Sequence, residues 1–150
     1  VVFPEKESEW LNQLLARREG PLQADVLKRC KMIAHEKLGP IRDGTTSTEA
    51  NQEFKEIEVS VIPTMRLADE ARKSNKVQGQ ELESALGVRN LALLGRLLST
   101  TTLKRRESRG AHYRLDFPEQ DDKNWRRVTR LQKGNEGEIK FQTDPVKNHG

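Results

Sequence analysis

The chain has 150 residues, with 27 Lys or Arg against 23 Asp or Glu and a formal net charge of +4. One third of the residues are hydrophobic and one third are charged. This length predicts one domain, and the low apolar share favours amphipathic helices over a parallel sheet that is covered on both faces. No apolar run approaches the roughly 18 residues that span a bilayer, so no direct membrane insertion is expected.

The first residues and the single cysteine indicate the compartment in which the chain is expected to fold. Val1 to Pro4 do not begin a signal peptide, and a first residue other than Met is typical of a fragment or a processed product. Cys30 cannot form an internal disulfide, which indicates a reducing compartment. Its place in an apolar stripe favours a small buried residue over a reactive thiol.

Periodic apolar residues predict two helices in the first 40 positions. The first covers 7–18 and ends before Gly20. The second begins at Pro21, a residue favoured in the first turn of a helix, and ends at Gly39.

The next segment predicts a helix that begins with a capping box. Thr46 and Glu49 have the spacing at which hydroxyl and carboxylate satisfy two free backbone N–H groups. Apolar spacing continues to Ala68, so we expect one helix kinked at Pro63, although 56–62 also alternates as a strand would.

Residues 73–79 predict a polar loop, and 80–104 predict the most buried helix, because Arg96 is its only charge between Leu91 and Leu103. Further on, 125–131 and 138–143 predict a β-hairpin around 133–137. The predicted fold is therefore mainly α: a three-helix antiparallel, spectrin-repeat-like bundle with a C-terminal loop and a short hairpin. The predicted segments are an N-terminal helix or linker at 1–20, the bundle at 21–106, and an Arg-rich docking loop with a hairpin tail at 107–150.

The surplus of positive charge lies in one segment. Residues 101–131 hold nine Lys or Arg and five Asp or Glu, whereas the rest of the chain has 18 of each. Within this segment, 106–118 contain three arginines, one histidine and two carboxylates without helical periodicity. Three interpretations are open: an internally salt-bridged loop, a loop that docks onto another domain, or a contact with an anionic ligand. His112 suits a structural hydrogen bond to a neighbouring domain better than a proton shuttle.

Motifs for independent chemistry are missing from the sequence. There is no Gly-rich phosphate loop, no HExxH motif and no GxSxG elbow, so no catalytic, cofactor-binding or metal-binding residue is assigned. One function that stays open is a stand-alone helical adaptor that binds an acidic partner or nucleic acid through the basic residues 101–131. Tyr113 and Trp125 would stack bases in that case, but no recognised nucleic-acid motif accompanies them.

Several stretches together resemble a known family. They are GPIRDG at 39–44, LESALGVRNL at 82–91, RRESRGAHYRLDFP at 105–118, the Asp121-Asp122 and Asn124-Trp125 pairs, and TDPV at 143–146. The chain is similar, from about Leu22 to Val146, to the C-terminal region of succinate dehydrogenase and fumarate reductase flavoprotein subunits. L-aspartate oxidase is a relative. The chain departs from the family at Gln120, often Arg, and at Val128-Thr129, where a His is common.

The resemblance implies a non-catalytic C-terminal domain of an FAD-dependent oxidoreductase. FAD would belong to the parent protein and not to this chain. The implied partners are the FAD-binding domain and an iron–sulphur subunit, with no nucleic acid. The implied location is cytoplasmic, with membrane association only through other subunits. The residues that it makes candidates for domain docking are Arg106, Ser108, Arg109, His112, Arg114 and Asp116.

Overall fold

The computed structural model describes residues 5–134 and 137–146, and it is mainly α. The helices are α1 (Glu5–Ala16), α2 (Gln23–Lys37), α3 (Gly44–Glu56), α4 (Asn75–Lys104) and α5 (Asp122–Trp125). The strands are β1 (Ile41–Arg42), β2 (Tyr113–Arg114), β3 (Arg127–Lys133) and β4 (Ile139–Pro145). The predicted class, mainly α with a short C-terminal hairpin, is confirmed. Residues 135 and 136 of the predicted hairpin turn lie outside the described residues.

The contacts divide the chain into two compact units, and α2, α3 and α4 contribute residues to both. The first unit comprises the described parts of Val1–Met32 and Phe54–Leu93, and the second comprises those of Ile33–Glu53 and Leu94–Gly150. The three segments predicted from the sequence are continuous stretches of chain, whereas each of these units combines two separate stretches. The boundaries of the units therefore do not test the boundaries of the segments. The division into segments therefore stays a prediction.

Side-chain contacts join three helices in the first unit. The buried Gln23 of α2 donates to Glu81 of α4 at 3.0 Å and accepts from Ser84 at 2.9 Å. Arg89 of α4 bonds to Glu7 of α1 at 2.8 Å and lies 4.4 Å from the centre of the Trp10 ring. The apolar residues buried here are Leu14, Val26, Cys30, Phe54, Ile57, Ile62, Met65, Leu67, Ala71, Ala85, Val88 and Ala92.

Cys30 is fully buried, as the sequence predicted, and burial raises the pKa of its thiol to about 11. The thiol is therefore protonated at neutral pH. A protonated and buried thiol is a packing residue and not a nucleophile.

Pro21 precedes α2 instead of starting it, so that prediction is wrong. The Pro21 carbonyl accepts from Arg66 N–H at 2.9 Å, and Gln23 N–H donates to the Arg66 carbonyl at 2.9 Å. This pairing holds Pro21 and Leu22 extended, which a helical turn would not allow. Gly20 makes the approach possible with a φ of 111°.

The helix that begins with α3 ends earlier than predicted. After Glu56 the hydrogen bonds widen to a π-turn at Ile57–Val61 and then narrow to a 3-10 turn at Ile62–Thr64. Met65 is extended, so the helix does not continue to Ala68. Because Pro63 has no N–H to donate, it fits the first positions of a new turn and not the interior of a helix. The alternative strand over 56–62 is not formed.

Two predictions for α4 are wrong. It begins at Asn75, within the expected loop, and it is not the most buried helix, because six of its 30 residues are buried against four of the 15 in α2. Leu94 is 61% exposed and Leu98 is 39% exposed, whereas Ala92 and Ser99 are fully buried. The buried positions of α4 recur every three or four residues and carry small side chains, so Leu94 and Leu98, which lie between them, fall on the outer face.

In the second unit, polar contacts join α3 to α2 and α4. Lys37 bonds to Glu49 and Glu53, both at 2.7 Å. The Asn51 amide donates to Ser99 Oγ at 2.9 Å. The predicted capping box is wrong, because Asp43 Oδ1 accepts from Thr46 N–H at 2.8 Å and so caps α3 itself.

Two separate pairs of strands complete the second unit. β3 and β4 pair antiparallel from Arg127 with Pro145 to Lys133 with Ile139, which confirms the predicted hairpin. β1 and β2 pair in parallel, with Ile41 opposite Tyr113 and Arg42 opposite Arg114. Sequence reasoning missed this parallel pair, which fixes the position of the Arg-rich loop.

We predict that Gly20→Ala lowers the free energy of unfolding by about 2 kcal/mol or more. A side chain at this φ is strained, and its Cβ would lie 2.0 Å from the Thr64 carbonyl oxygen. The matched control is Gly79→Ala, an exposed site in α4 with no atom within 4 Å of an added Cβ. Gly79→Ala should raise the free energy of unfolding by about 0.8 kcal/mol, because alanine has a higher helix propensity than glycine. Urea unfolding followed by circular dichroism measures the free energy of unfolding of both variants. The same change in both would contradict the strain and the clash expected at Gly20.

Candidate functional site

The Arg-rich loop, residues 105–118, follows α4 and contains all six predicted docking residues. It begins with a tight turn, in which Arg109 N–H donates to the His112 carbonyl at 2.7 Å and His112 N–H donates back at 3.0 Å. Gly110, with a φ of 56°, occupies this turn. Past the turn the chain enters β2, which is bonded to β1.

The centre of the loop is the Glu107 carboxylate, which is fully buried. Arg109 donates to it through two nitrogens, at 2.9 and 3.0 Å, and Arg105 and the Asp121 N–H complete its partners. Burial opposes ionisation, but the bonds from Arg109, Asp121 and Arg105 outweigh it and hold the pKa of Glu107 below its usual value. The carboxylate is therefore charged at neutral pH and fixed by both backbone and side chains.

Arg105 connects this centre to the hairpin. It donates to the Trp125 carbonyl at 2.5 Å and to Thr129 Oγ1 at 3.3 Å, and its guanidinium lies 5.7 Å from the centre of the Trp125 ring. An isolated two-stranded hairpin is marginal in water. Arg105 therefore supplies part of the support that the hairpin needs.

Arg114 connects the loop to both long helices of the unit. It is buried, pairs with Asp116 through an Nε to Oδ1 bond of 2.7 Å, and donates to the Thr102 carbonyl near the end of α4. Asp116 also accepts from Gly44 N–H at the start of α3, at 3.1 Å. The Arg114 hydrogen bonds, with help from Gly44, hold the pKa of the Asp116 carboxyl below its usual value.

Ser108 fixes the backbone on the inner side of the loop. Its hydroxyl donates to the Phe117 carbonyl at 2.8 Å and accepts from Arg114 N–H at 2.9 Å. Its own N–H donates to the Glu119 carbonyl at 3.0 Å. The hydroxyl therefore has a partner within the loop both as a donor and as an acceptor.

His112 is half-buried, and its Nε2 lies 3.4 Å from the Arg105 carbonyl. Burial, with the charges of Arg42, Arg105 and Arg114, lowers the pKa of the imidazole, while the bond to the Arg105 carbonyl opposes this shift. A neutral ring beside a backbone carbonyl suits a structural hydrogen bond. This bond lies within the loop, so the predicted hydrogen bond of the ring to a neighbouring domain stays a prediction.

The six predicted residues divide by exposure. Ser108 and Arg114 are buried, Arg109 and His112 are half-buried, and Arg106 and Asp116 are exposed. The contacts are those of an internally salt-bridged loop, and the role of the loop in docking stays a prediction. Sequence reasoning missed Arg105 and Glu107 as central residues, although both lie in the charged motif that it identified.

Within 5–134 and 137–146 the strands form only two-stranded sheets, and neither is a Rossmann-type sheet. A cleft between α1 and α4, lined by Leu11, Leu86 and Arg89, has a volume of about 230 Å³, smaller than the pockets of ~300 Å³ upward that hold drug-sized ligands. In the same ranges, no group of three His, Cys, Asp or Glu is placed to bind a metal, and no helix is long and apolar enough to cross a bilayer.

Comparison with known proteins identifies the family. A family model described as the C-terminal region of fumarate reductase flavoproteins matches residues 28–149. The chain belongs to this family, which confirms the resemblance seen in the sequence. It is 32% identical to the fumarate reductase flavoprotein subunit of Helicobacter pylori over 123 residues, which cover 80% of the chain and 16% of that protein. The corresponding subunit of Mycobacterium tuberculosis is 28% identical over 82% of the chain and 20% of that protein.

Solved structures agree on the fold. A variant of Escherichia coli quinol fumarate reductase superposes with a TM-score of 0.79 at 22% identity, over 93% of this chain and 23% of that one. The Sdh1 complex of Mycobacterium smegmatis in its apo form gives a TM-score of 0.73 at 22% identity, over 96% and 24%. The chain therefore spans less than a quarter of the length of these proteins.

We predict that Glu107→Gln lowers the free energy of unfolding by about 2–4 kcal/mol, because it leaves Arg105 and Arg109 without their shared charge. The matched control is Glu119→Gln, an exposed carboxylate directly after the loop, which should change the free energy of unfolding of the chain by no more than about 0.5 kcal/mol. Urea unfolding of both variants measures the difference. A Glu107 variant as stable as the control would mean that the buried carboxylate does not hold the loop.

We predict a pH dependence from His112. The lowered pKa means that the unfolded chain binds a proton more readily, so stability is full above the ordinary histidine pKa of about 6.5 and falls as the pH drops towards the folded pKa. His112→Gln removes this contribution. The difference in unfolding free energy between the unsubstituted chain and the His112→Gln variant should therefore shrink as the pH is lowered from 8 to 5. A difference that stays constant would contradict the contribution of His112.

Proposed function

We propose that this chain is a non-catalytic C-terminal domain that packs on the FAD-binding domain of a succinate dehydrogenase or fumarate reductase type flavoprotein. The observation that carries the proposal is the family match over residues 28–149, at a coverage of only 16% and 20% of two flavoprotein subunits. Most of each relative thus lies outside the matched segment. Flavin and substrate chemistry are assigned to that larger part, and no catalytic role to this chain.

The Arg-rich loop is the proposed docking element. Its inner side chains, Ser108 and Arg114, have their partners within the unit, so the backbone is held in one conformation before any contact is made. A loop that is already ordered loses little conformational entropy on binding. Arg106 and Asp116 are the exposed members of the predicted set and would make the direct contacts, with Arg109 and His112 beside them.

Two further expectations rest on the family resemblance. The parent protein would assemble with an iron–sulphur subunit, and it would be cytoplasmic, with membrane association only through other subunits. The M. smegmatis Sdh1 structure is that of a complex, which supports assembly for that relative. We assign no residue of this chain to the iron–sulphur contact.

The stand-alone adaptor has less support. Of the basic residues in 101–131, Arg105, Arg109, Arg114 and Arg130 form ion pairs with carboxylates of the same unit. Paired arginines have less charge available for phosphates. Binding of DNA or RNA at low salt with a steep salt dependence would favour the adaptor over the domain.

The test is to produce the parent protein as two polypeptides, the tagged upstream part and this 150-residue chain. We expect the upstream part to carry the flavin and to retain the chain, which should be colourless when purified alone. Arg106→Glu should weaken retention about tenfold. The matched control is Lys123→Glu, an exposed charge reversal outside the loop, which should leave it unchanged.

Two results would contradict the proposal. Stoichiometric flavin in the isolated chain would place a cofactor site within it. An upstream part that carries flavin but never retains the chain would remove the docking role.

A further inference from the structure

The guanidinium of Arg42, in β1, is only partly bonded. It is half-buried, and its Nε donates to the Gly39 carbonyl at 2.6 Å. Among the described residues, neither of its Nη nitrogens has a hydrogen-bond partner and no carboxylate forms an ion pair with it. Arg114, its register partner in β2, is instead paired with Asp116. Of these two neighbouring arginines, Arg42 is therefore the one that lacks a counter-charge.

His112 lies beside these arginines. Its Nε2 and Arg114 Nη1 both lie 3.4 Å from the Arg105 carbonyl oxygen, so one acceptor brings the ring and that guanidinium together. Burial lowers the pKa of the imidazole most, and the next largest lowering comes from the charge of Arg42, ahead of those of Arg105 and Arg114. Because the interaction between two charges weakens with distance, Arg42 lies close to the ring.

The second nitrogen of the ring, Nδ1, has no hydrogen-bond partner in the described part of the chain. In the neutral ring that donates through Nε2, this nitrogen carries a lone pair, and in the protonated ring it becomes a donor. The carboxylates nearby already have donors: Asp116 accepts from Arg114, Glu107 from Arg105 and Asp43 from the backbone of α3. The cluster therefore keeps an excess of positive charge at Arg42.

A guanidinium with free donors, next to an imidazole that gains a donor on protonation, has the chemistry that binds an oxyanion. We propose that Arg42 and His112 form a site for a small tetrahedral oxyanion such as phosphate or sulphate, and that His112 takes up a proton from solvent when the anion binds. Arg42 offers two parallel N–H bonds through its Nη nitrogens, and the protonated Nδ1 offers a third. Both side chains are half-buried, which favours a small anion over a bulky one. This inference does not rest on the proposed function.

The first test follows the ring protons of His112 by NMR while the pH of the 150-residue chain is lowered from about 8 to about 5, in sulphate or in chloride at equal ionic strength. Sulphate stays ionised over this range, and equal ionic strength removes differences in screening. An anion that prefers the protonated ring must raise the midpoint of the His112 titration, and we expect a rise of about 0.5 pH unit or more. His35, which is exposed on α2, is the internal control and should titrate at the same pH in both salts.

Substitutions assign the rise to Arg42. Arg42→Met should abolish it, whereas Arg42→Lys should keep part of it because the charge remains. The matched control is Arg126→Met, an exposed arginine outside the loop, which should leave the rise unchanged. Equal midpoints in the two salts, or a rise that Arg42→Met retains, would overturn the inference. The comparison of the two salts in the unsubstituted chain is decisive even if Arg42→Met does not fold.

The second test measures sulphate binding by calorimetry at low and at high pH. Because the coupling between proton and anion is reciprocal, sulphate should bind about threefold or more tightly at about pH 5 than at about pH 8. His112→Gln should remove most of this pH dependence and keep the weaker binding of high pH, since Arg42 remains. Binding that does not depend on pH, or a dependence that His112→Gln retains, would indicate an adventitious ion only and would overturn the inference. The proposed function, which is tested by retention on the upstream part, would stand in either case.

Discussion

The buried carboxylate of Glu107 is the interaction on which the arrangement of the Arg-rich loop depends. It accepts from Arg109, Arg105 and the Asp121 N–H, and these donors come from both sides of the loop. A buried charge is tolerated only when such donors complete it, so the ionised state and the loop conformation require each other. Arg105, which donates to this carboxylate, also donates to the carbonyl of Trp125, two residues before the hairpin begins.

This constraint determines which groups are left for other proteins. Charges that turn inward are paired, as Arg114 is with Asp116, so they contribute rigidity and not attraction. Tyr113, which precedes Arg114 in β2, is exposed, and so is Leu115, the first residue after this strand. One strand therefore combines an internal ion pair with an external apolar surface, an arrangement that suits a domain of a larger flavoprotein.

Sequence reasoning succeeded where the relevant interactions are local. The helices and the hairpin follow from periodicity and turn residues within short windows, and the family follows from the motif at 105–118. It failed where distant residues decide the outcome. The pairing of Ile41 with Tyr113 joins residues that no periodic pattern connects, and Pro21 is held extended by Arg66. Glu107 lies between arginines in the charged motif, and only the fold reveals that its carboxylate is the buried centre of the loop.

The arrangement of α4 explains why composition alone was misleading. The leucine-rich segment predicted a buried helix, yet its close packing uses Ala92 and Ser99 while Leu94 and Leu98 face outward. Small residues form the buried face of α4, whereas the largest fully buried apolar side chains, Phe54, Leu14, Ile57 and Met65, come from other elements. A helix can therefore be rich in leucine and still keep several leucines at the surface, because the period of its apolar positions, and not its composition, decides which side chains face the core.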